Sequence, residues 1–538
     1  MRAYWWKLLC LTGALSVAAG GCRWRQRAAG DSNELVLDEK LGLRIGSVAT
    51  IATPANVSVE GFGLVGGLAG TGSGDCPPAI REYLRRYIMA QVPLRGYNAD
   101  ELINSKGTAV VRLEARIPAA ALRDDHFDVR VLLLPQSDAS SLHGGWLYKA
   151  ELKPQGSFTS AARTLATVEG PVFIDMIGSD KPDWRVGCVL GGGRAAHDYE
   201  GVLALRKADF LMASRIRNRL NERYGPGTSA ALSPTVIGLR IPLEYRRRRL
   251  RFIKMVGATY LEETPDLVEA RTITLIRQLA ASDRKQQSEI ALEAIGRQCL
   301  TQLAALLTVP DEEVRLRAAR CMLYLGDDRG FVVLREIAVA PGSARRLEAL
   351  EAIAIGAKRN DAVAVAGRLL RDRNPAIVVG AHMHLREMGD LAVRQEFVGR
   401  SFYLEQVAQT DCKAVYVARS GDPRIVLFGA PLICRNNLFV ESADRMVVIN
   451  AQAGQDAVSL IRRHPSRPVL IGRLESGFDL VDIVRTLGGE PGAAREGQAP
   501  GLGVSYADMI FLIQQLTAKD MVDAQFWPGP PVELEAVK

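Results

Sequence analysis

The residues whose types and spacing most suggest chemistry are the glycines of segment 59–75. Gly61, Gly63, Gly66, Gly67, Gly70, Gly72 and Gly74 make seven glycines in fourteen positions. Gly61-Phe62-Gly63-Leu64-Val65-Gly66 satisfies G-x-G-x-x-G, the pattern with which a strand-to-helix turn cradles a dinucleotide pyrophosphate. That chemistry needs a helix to open at the third glycine, so that its N-terminus faces the phosphates. The glycines after Gly66 work against such a helix, and the Lys that precedes Ser or Thr in a P-loop is missing. Backbone geometry is the remaining reading. Glycine permits positive φ and close approach of a second backbone, so the seven glycines are expected to form a tight assembly loop at a packed or inter-subunit surface.

Other constellations are weaker. His382-Met383-His384 has metal-ligand chemistry but no cysteine or paired carboxylates nearby to complete a site. Two apart on a helix, its imidazoles point to different faces. His197, Asp198 and Glu200 resemble an acid/base set without a marked nucleophile. Arg246, Arg247, Arg248 and Arg249, with Arg251, form the sharpest charge run. It reads either as a contact for anionic envelope components or as a solvated edge that discourages aggregation. Of eight cysteines none forms C-x-x-C, so neither zinc nor a redox motif is indicated. Cys412 and Cys434 share a strand-rich segment and could pair in an oxidising compartment; buried free thiols are the alternative.

The compartment is read from the first residues. Arg2 and Lys7 precede an uncharged apolar run, residues 8–19, too short to span a bilayer and right for a signal-peptide core. Ala18-Ala19-Gly20-Gly21-Cys22 is similar to a bacterial lipobox, with Ala19 where leucine is usual. Residues 1–21 are therefore expected to be a signal peptide, Cys22 the lipidation site and 22–43 a charged tether. The chain carries 68 Lys+Arg against 60 Asp+Glu, a net charge of +8. Loss of 1–21 lowers this by two, and a modest basic excess on an exported chain suits an anionic envelope and not nucleic acid.

A chain of 538 residues with 48% hydrophobic residues can build several cores. In 44–265 half-buried strands alternate with helices. Ala109, Val111, Leu113, Ala115 and Ile117 form one apolar face, and Phe127, Val129, Val131 and Leu133 another. Residues 208–224 read as an amphipathic helix stopped by Gly225. From 266 to 400 helix formers dominate, and Gly296, Gly326, Gly356 and Gly389 recur at spacings of 30, 30 and 33. This resembles short HEAT-type repeats stacked in a solenoid. Residues 401–538 return to strands and end in two helices, the second capped by Ser505. The predicted fold class is α+β, a mixed body interrupted by an all-α array.

Several motifs, in order, carry a family resemblance. The run from Gly61 to Asp75 resembles the N-terminal signature of bacterial flagellar P-ring proteins. Residues 107–118, Phe127-Asp128-Val129-Arg130-Val131 and the turn Ser141-Leu142-His143-Gly144-Gly145 are similar to its next elements. So are Gly191-Gly192-Gly193, helix 205–224, strand 236–242 and the closing helices near 478–487 and 504–516. The resemblance implies a structural role with no catalysis and no cofactor. It implies a periplasmic ring of many copies around the flagellar rod, with self, rod, L-ring proteins and peptidoglycan as partners; contact with the membrane through lipid is expected from Cys22 and not from the resemblance. The helical insert and Cys22 depart from the family's usual member. They give the second reading, an envelope lipoprotein, anchored to the outer membrane, that binds another protein through its array.

Overall fold

The computed structural model describes residues 41–532 except 53–56, 92–97, 158–161, 179–181, 200, 465–469 and 493–499. The expected signal peptide, Cys22 and nearly all of the tether lie outside the described residues.

A single helical turn, α1 (Ile45–Val48), leads into β1 (Ala49–Ala52) and then β2 (Val57–Gly66). With β3 (Ala109–Ile117), β4 (His126–Leu133), β5 (Trp146–Pro154), β6 (Ala166–Pro171) and β7 (Val186–Ala195), β2 closes a six-stranded barrel in the order β2-β3-β4-β7-β6-β5. The alternation read from sequence sorts these side chains: Val111, Leu113, Ala115, Val129, Val131, Leu152 and Val189 fill one core. Helices α2 (Pro78–Gln91) and α3 (Ala99–Asn104) cover one flank through Leu84, Ile103, Leu64 and Val110.

A second, smaller sheet follows in the order β1-β8-β10-β9, from β8 (Val202–Leu205), β9 (Ser229–Ala231) and β10 (Val236–Leu239). Helix α4 (Phe210–Tyr224) packs on it with Ile216 and Leu220. Asp209 caps that helix through Leu211 N and Met212 N, and Gly225 ends it at φ +98°. A 3-10 segment, Leu243–Arg248, runs into α5 (Arg249–Ala258).

Consecutive helices then stack: α6 (Pro265–Ala281), α7 (Lys285–Ile295), α8 (Leu300–Leu303), α9 (Glu312–Tyr324), α10 (Arg329–Val339), α11 (Arg346–Gly356), α12 (Arg359–Leu369) and α13 (Pro375–Glu387). Asp311 and Asn374 cap α9 and α13. Gly296, Gly326 and Gly389 are the expected positive-φ stops. Gly356 differs. It is the last residue of α11, and a Cβ there would meet the Tyr324 ring at 2.7 Å, so its glycine serves packing. Among the described residues no single helix is long and apolar enough to cross a membrane.

The chain next forms β11 (Arg394–Val398), β12 (Phe402–Val407), β13 (Ala414–Val417) and β14 (Arg424–Phe428). After these come β15 (Leu438–Glu441), β16 (Val447–Ala451), β17 (Val458–Arg463), β18 (Leu470–Ser476), α14 (Leu480–Gly488), α15 (Tyr506–Ala518) and β19 (Gln525–Pro528). The strand region thus starts at Arg394, a little before the expected 401. Five strands order as β11-β12-β14-β13-β19, and β15 to β18 form a meander. The five-stranded sheet is covered on both faces, which explains the unbroken apolar run of β14. Val415, Val417, Ile425 and Leu427 face α14 and α15, whereas Ala414, Tyr416, Val426 and Phe428 face the helical array.

Candidate functional site

The glycine segment is half strand and half loop, which corrects the expectation of a single assembly loop. Gly61, Gly63 and Gly66 lie within β2, at the seam where β2 meets β5 and closes the barrel. The register slips between Glu60 and Val65. A Cβ on Gly61 would run into the Glu151 carbonyl oxygen, and one on Gly63 would meet Leu147 Cδ1 at 2.9 Å. These glycines permit intrachain closure. Gly67 and Gly70 have φ of +76° and +87° and are exposed. Gly72 and Gly74 press against the Thr108 and Ile103 carbonyls. Leu68 N donates to Gly107 O at 3.0 Å, Gly72 N to Lys106 O at 3.0 Å, and Ser140 N to Thr71 O at 3.0 Å. The exposed part is therefore the short turn around Gly67, Ala69 and Gly70.

The arginine run is also reassigned. Arg246 and Arg247 are exposed, but most of the guanidiniums point inward at the junction of body and array. Arg247 donates to Ala354 O at 3.0 Å and Glu387 at 2.9 Å. Arg248 bonds Glu293 at 2.7 Å and lies over the Tyr324 ring. Arg249 reaches back to Asp125 and to Ala120 O in the body. Arg251 bridges Glu289 and Glu293, each at 2.6 Å. Arg317 and Arg320 add bonds to Glu289 at 3.1 and 2.7 Å. Burial pushes the Glu289 carboxyl up, but Arg251 and Arg320 outweigh it and hold it below the ordinary value. Long stems and forked heads let one short segment bridge two carboxylates of the array. The run is a clasp between body and array, and of the four consecutive arginines Arg246 and the edge of Arg247 stay exposed.

The remaining candidates are dispersed. His382 is buried with Nε2 2.6 Å from Glu405, which Arg386 also binds at 2.6 Å. His384 faces Glu387 instead, so the two imidazoles do not converge. Among the described residues no group of three His, Cys, Asp or Glu is placed to hold a metal. His197 meets Arg163 at 3.1 Å, Asp198 accepts from Arg123 N at 2.8 Å, and Glu200 lies outside the described residues. Cys412 and Cys434 are both free thiols. They sit against opposite faces of the five-stranded sheet, Cys412 with the array core and Cys434 with the α14–α15 core, so of the two alternatives it is free thiols that the fold shows.

What sequence reasoning missed is the seam between the barrel and the C-terminal unit. His143 Nε2 meets Asp508 Oδ1 at 3.0 Å, with the His143 ring edge-on to Trp184. The Asp128 carboxylate accepts from Gly191 N at 2.7 Å and Gly421 N at 3.0 Å. Arg419 pairs with Asp175. A cleft of about 370 Å³ opens beside this seam, lined by Trp146, Phe173, Arg400, Glu490 and Tyr506 among others. The only available signal was that Asp508 stands in the first turn of a helix and His143 opens a glycine turn; nothing local relates them. Chemically these groups orient one unit on the other.

Comparison with known proteins agrees with this architecture. Residues 44–276 match the family model described as Flagellar P-ring protein, the family that the sequence resembles. The chain is 27% identical over 256 residues to a flagellar P-ring protein of Geobacter metallireducens, covering 44% of this chain and 67% of the relative. It is 32% identical over 216 residues to flagellar P-ring protein 1 of Hahella chejuensis, covering 38% and 56%. It is 29% identical over 250 residues to that of Nitrosomonas europaea, covering 43% and 63%. The alignments thus span from just over half to two thirds of these relatives. The matched family is structural and not enzymatic. The match takes in the barrel, the small sheet, α5 and part of α6, and leaves most of the helical array outside.

Proposed function

We propose that this chain is a structural subunit of a flagellar P ring, exported, tethered through lipid on Cys22, and closed with its own copies into a periplasmic ring around the rod. The observation that carries the reading is the family match over 44–276, which takes in the whole of the barrel and the small sheet. Heterologous contacts that close by rotation make rings. The exposed Gly67–Gly70 turn and the rigid barrel behind it offer one such surface. The helical array is the added layer, clasped to the body by Arg248 and Arg251 and positioned to face a neighbour, the rod or L-ring proteins, or peptidoglycan.

Electron microscopy of basal bodies from a strain lacking the gene tests this. The expected result is rods without the ring and loss of motility, both restored by the full chain. Intact rings in the deletion strain overturn the ring reading and leave the lipoprotein scaffold, whose partner would be sought on the array. Palmitate incorporation that disappears in Cys22→Ala supports the anchor, and unchanged incorporation refutes it.

A further inference from the structure

The least expected surface lies at one end of the small sheet. Phe210, Leu211 and Leu232 are 74%, 71% and 66% exposed. They are not scattered. Phe210 and Leu211 open α4, Leu232 stands in the β9–β10 turn, and Asp209 N donates to Pro234 O at 3.0 Å, holding that turn against the helix start. Single exposed leucines are ordinary, but three large exposed apolar side chains held to one end of the sheet by that bond call for a partner.

Three observations say which partner. Arg206 and Lys207, both exposed, immediately precede the patch, while its acid, Asp209, is spent on capping Leu211 and Met212. Cations beside exposed leucines and an aromatic ring are the composition of a surface that lies at an anionic bilayer interface. Second, the chain enters the fold here. Arg206 N donates to Val48 O at 3.0 Å and its guanidinium reaches Gly46 O at 3.4 Å. Third, one turn beyond Leu211, Arg215 pairs with Glu262 at 3.0 Å. The carbonyl of Glu262 accepts from Arg271, which also holds Leu41 O. Leu41 is the first described residue, so the tether that follows Cys22 joins the body on the side of the patch.

We infer that Phe210, Leu211 and Leu232, flanked by Arg206 and Lys207, form a membrane-docking corner that inserts into an anionic phospholipid surface beside the tether. The tether part of this argument rests on the lipidation reading of Cys22. The insertion of apolar side chains, steered by the two cations, would orient a body that an acyl anchor alone leaves free to tumble.

The test uses the mature chain from residue 23, which keeps every described residue, exported from a leader that is cleaved without lipidation. Vesicles of phosphatidylethanolamine with phosphatidylglycerol are the probe, and phosphatidylcholine vesicles the control. Expected is binding to the anionic vesicles that weakens with salt and falls about tenfold or more in Phe210→Ser/Leu211→Ser/Leu232→Ser, with melting temperature unchanged. Arg206→Glu/Lys207→Glu should weaken the anionic binding alone. No binding by the unsubstituted chain, or equal binding by the triple variant, overturns the proposal. Self-association abolished by the triple variant, without vesicle binding, gives the patch to a second copy of the chain instead. Because the chain tested begins after Cys22 and carries no acyl group, its result stands apart from the palmitate test of Cys22 and from the ring imaging.

Discussion

His143 Nε2 lies 3.0 Å from Asp508 Oδ1 across 365 positions of chain, joining the glycine turn of the barrel to the first turn of α15. Burial works to lower the His143 pKa, but the hydrogen bond and charge of Asp508 outweigh it and raise it above the ordinary 6.5. A raised histidine contributes stability that is complete below the unfolded value and lost as pH climbs through the folded one. His143→Asn should therefore cost about 1.5–3 kcal/mol at acidic pH and progressively less toward alkaline pH. Denaturant midpoints across pH check this, and a cost independent of pH would contradict it.

The buried Glu289 should be the most sensitive position in the clasp. Its removal takes the shared partner from Arg251, Arg317 and Arg320, leaving Arg251 on Glu293, Arg317 on Glu313 and Arg320 with only a 3.8 Å pair to Glu348. Glu289→Ala should destabilise by about 3–5 kcal/mol. Because its pKa is held below 4.5, its contribution is present above that value and fades as pH falls through the folded one. Glu289→Gln should therefore flatten the acid limb of the stability profile. An unchanged acid limb would sink the assignment.

The glycines should separate into two classes. Gly61→Ala drives a Cβ into a backbone carbonyl at the barrel seam and should cost about 1–3 kcal/mol with lowered melting temperature. Gly70→Ala meets open space and carries only the positive-φ cost of about 1 kcal/mol. If the exposed turn is an assembly contact, bulkier Gly70→Val should keep a folded monomer yet reduce ring formation, read by sedimentation. Equal loss of fold in both would remove the distinction.

Thiol chemistry should follow the two sides of the sheet. Burial pushes the Cys434 thiol up to about 12, so it should resist alkylation until the protein unfolds. Cys412 is half-buried and should react sooner. Mass spectrometry of the oxidised, exported protein should find no peptide linking the two.

Periodicity was enough to read the elements and not their meetings. The strands at 109–117 and 126–133, α4 with its Gly225 stop and the Ser505-capped helix all follow from local pattern and capping chemistry. The barrel was not legible, because closure depends on which strand β2 finds on its second side. The same gap misled the reading of Gly61, Gly63 and Gly66. Glycine's close-approach signal is identical whether the approaching chain is another subunit or β5. Arg248 and Arg251 looked like surface charge because Glu289 and Glu293, their partners, stand some forty positions away on a separate helix. His143 and Asp508 lie beyond any local rule.

One consequence follows from β19. It pairs in parallel with β13, and among the described residues no other strand pairs with that side of β13. The barrel and the small sheet take no strand from this segment, but the five-stranded sheet is complete only once Gln525–Pro528 has docked. Until Gln525–Pro528 docks, β13 presents a bare row of amides and carbonyls. This strand thus works as a latch on the sheet: without it β13 keeps an adhesive flank, and with it that flank is closed.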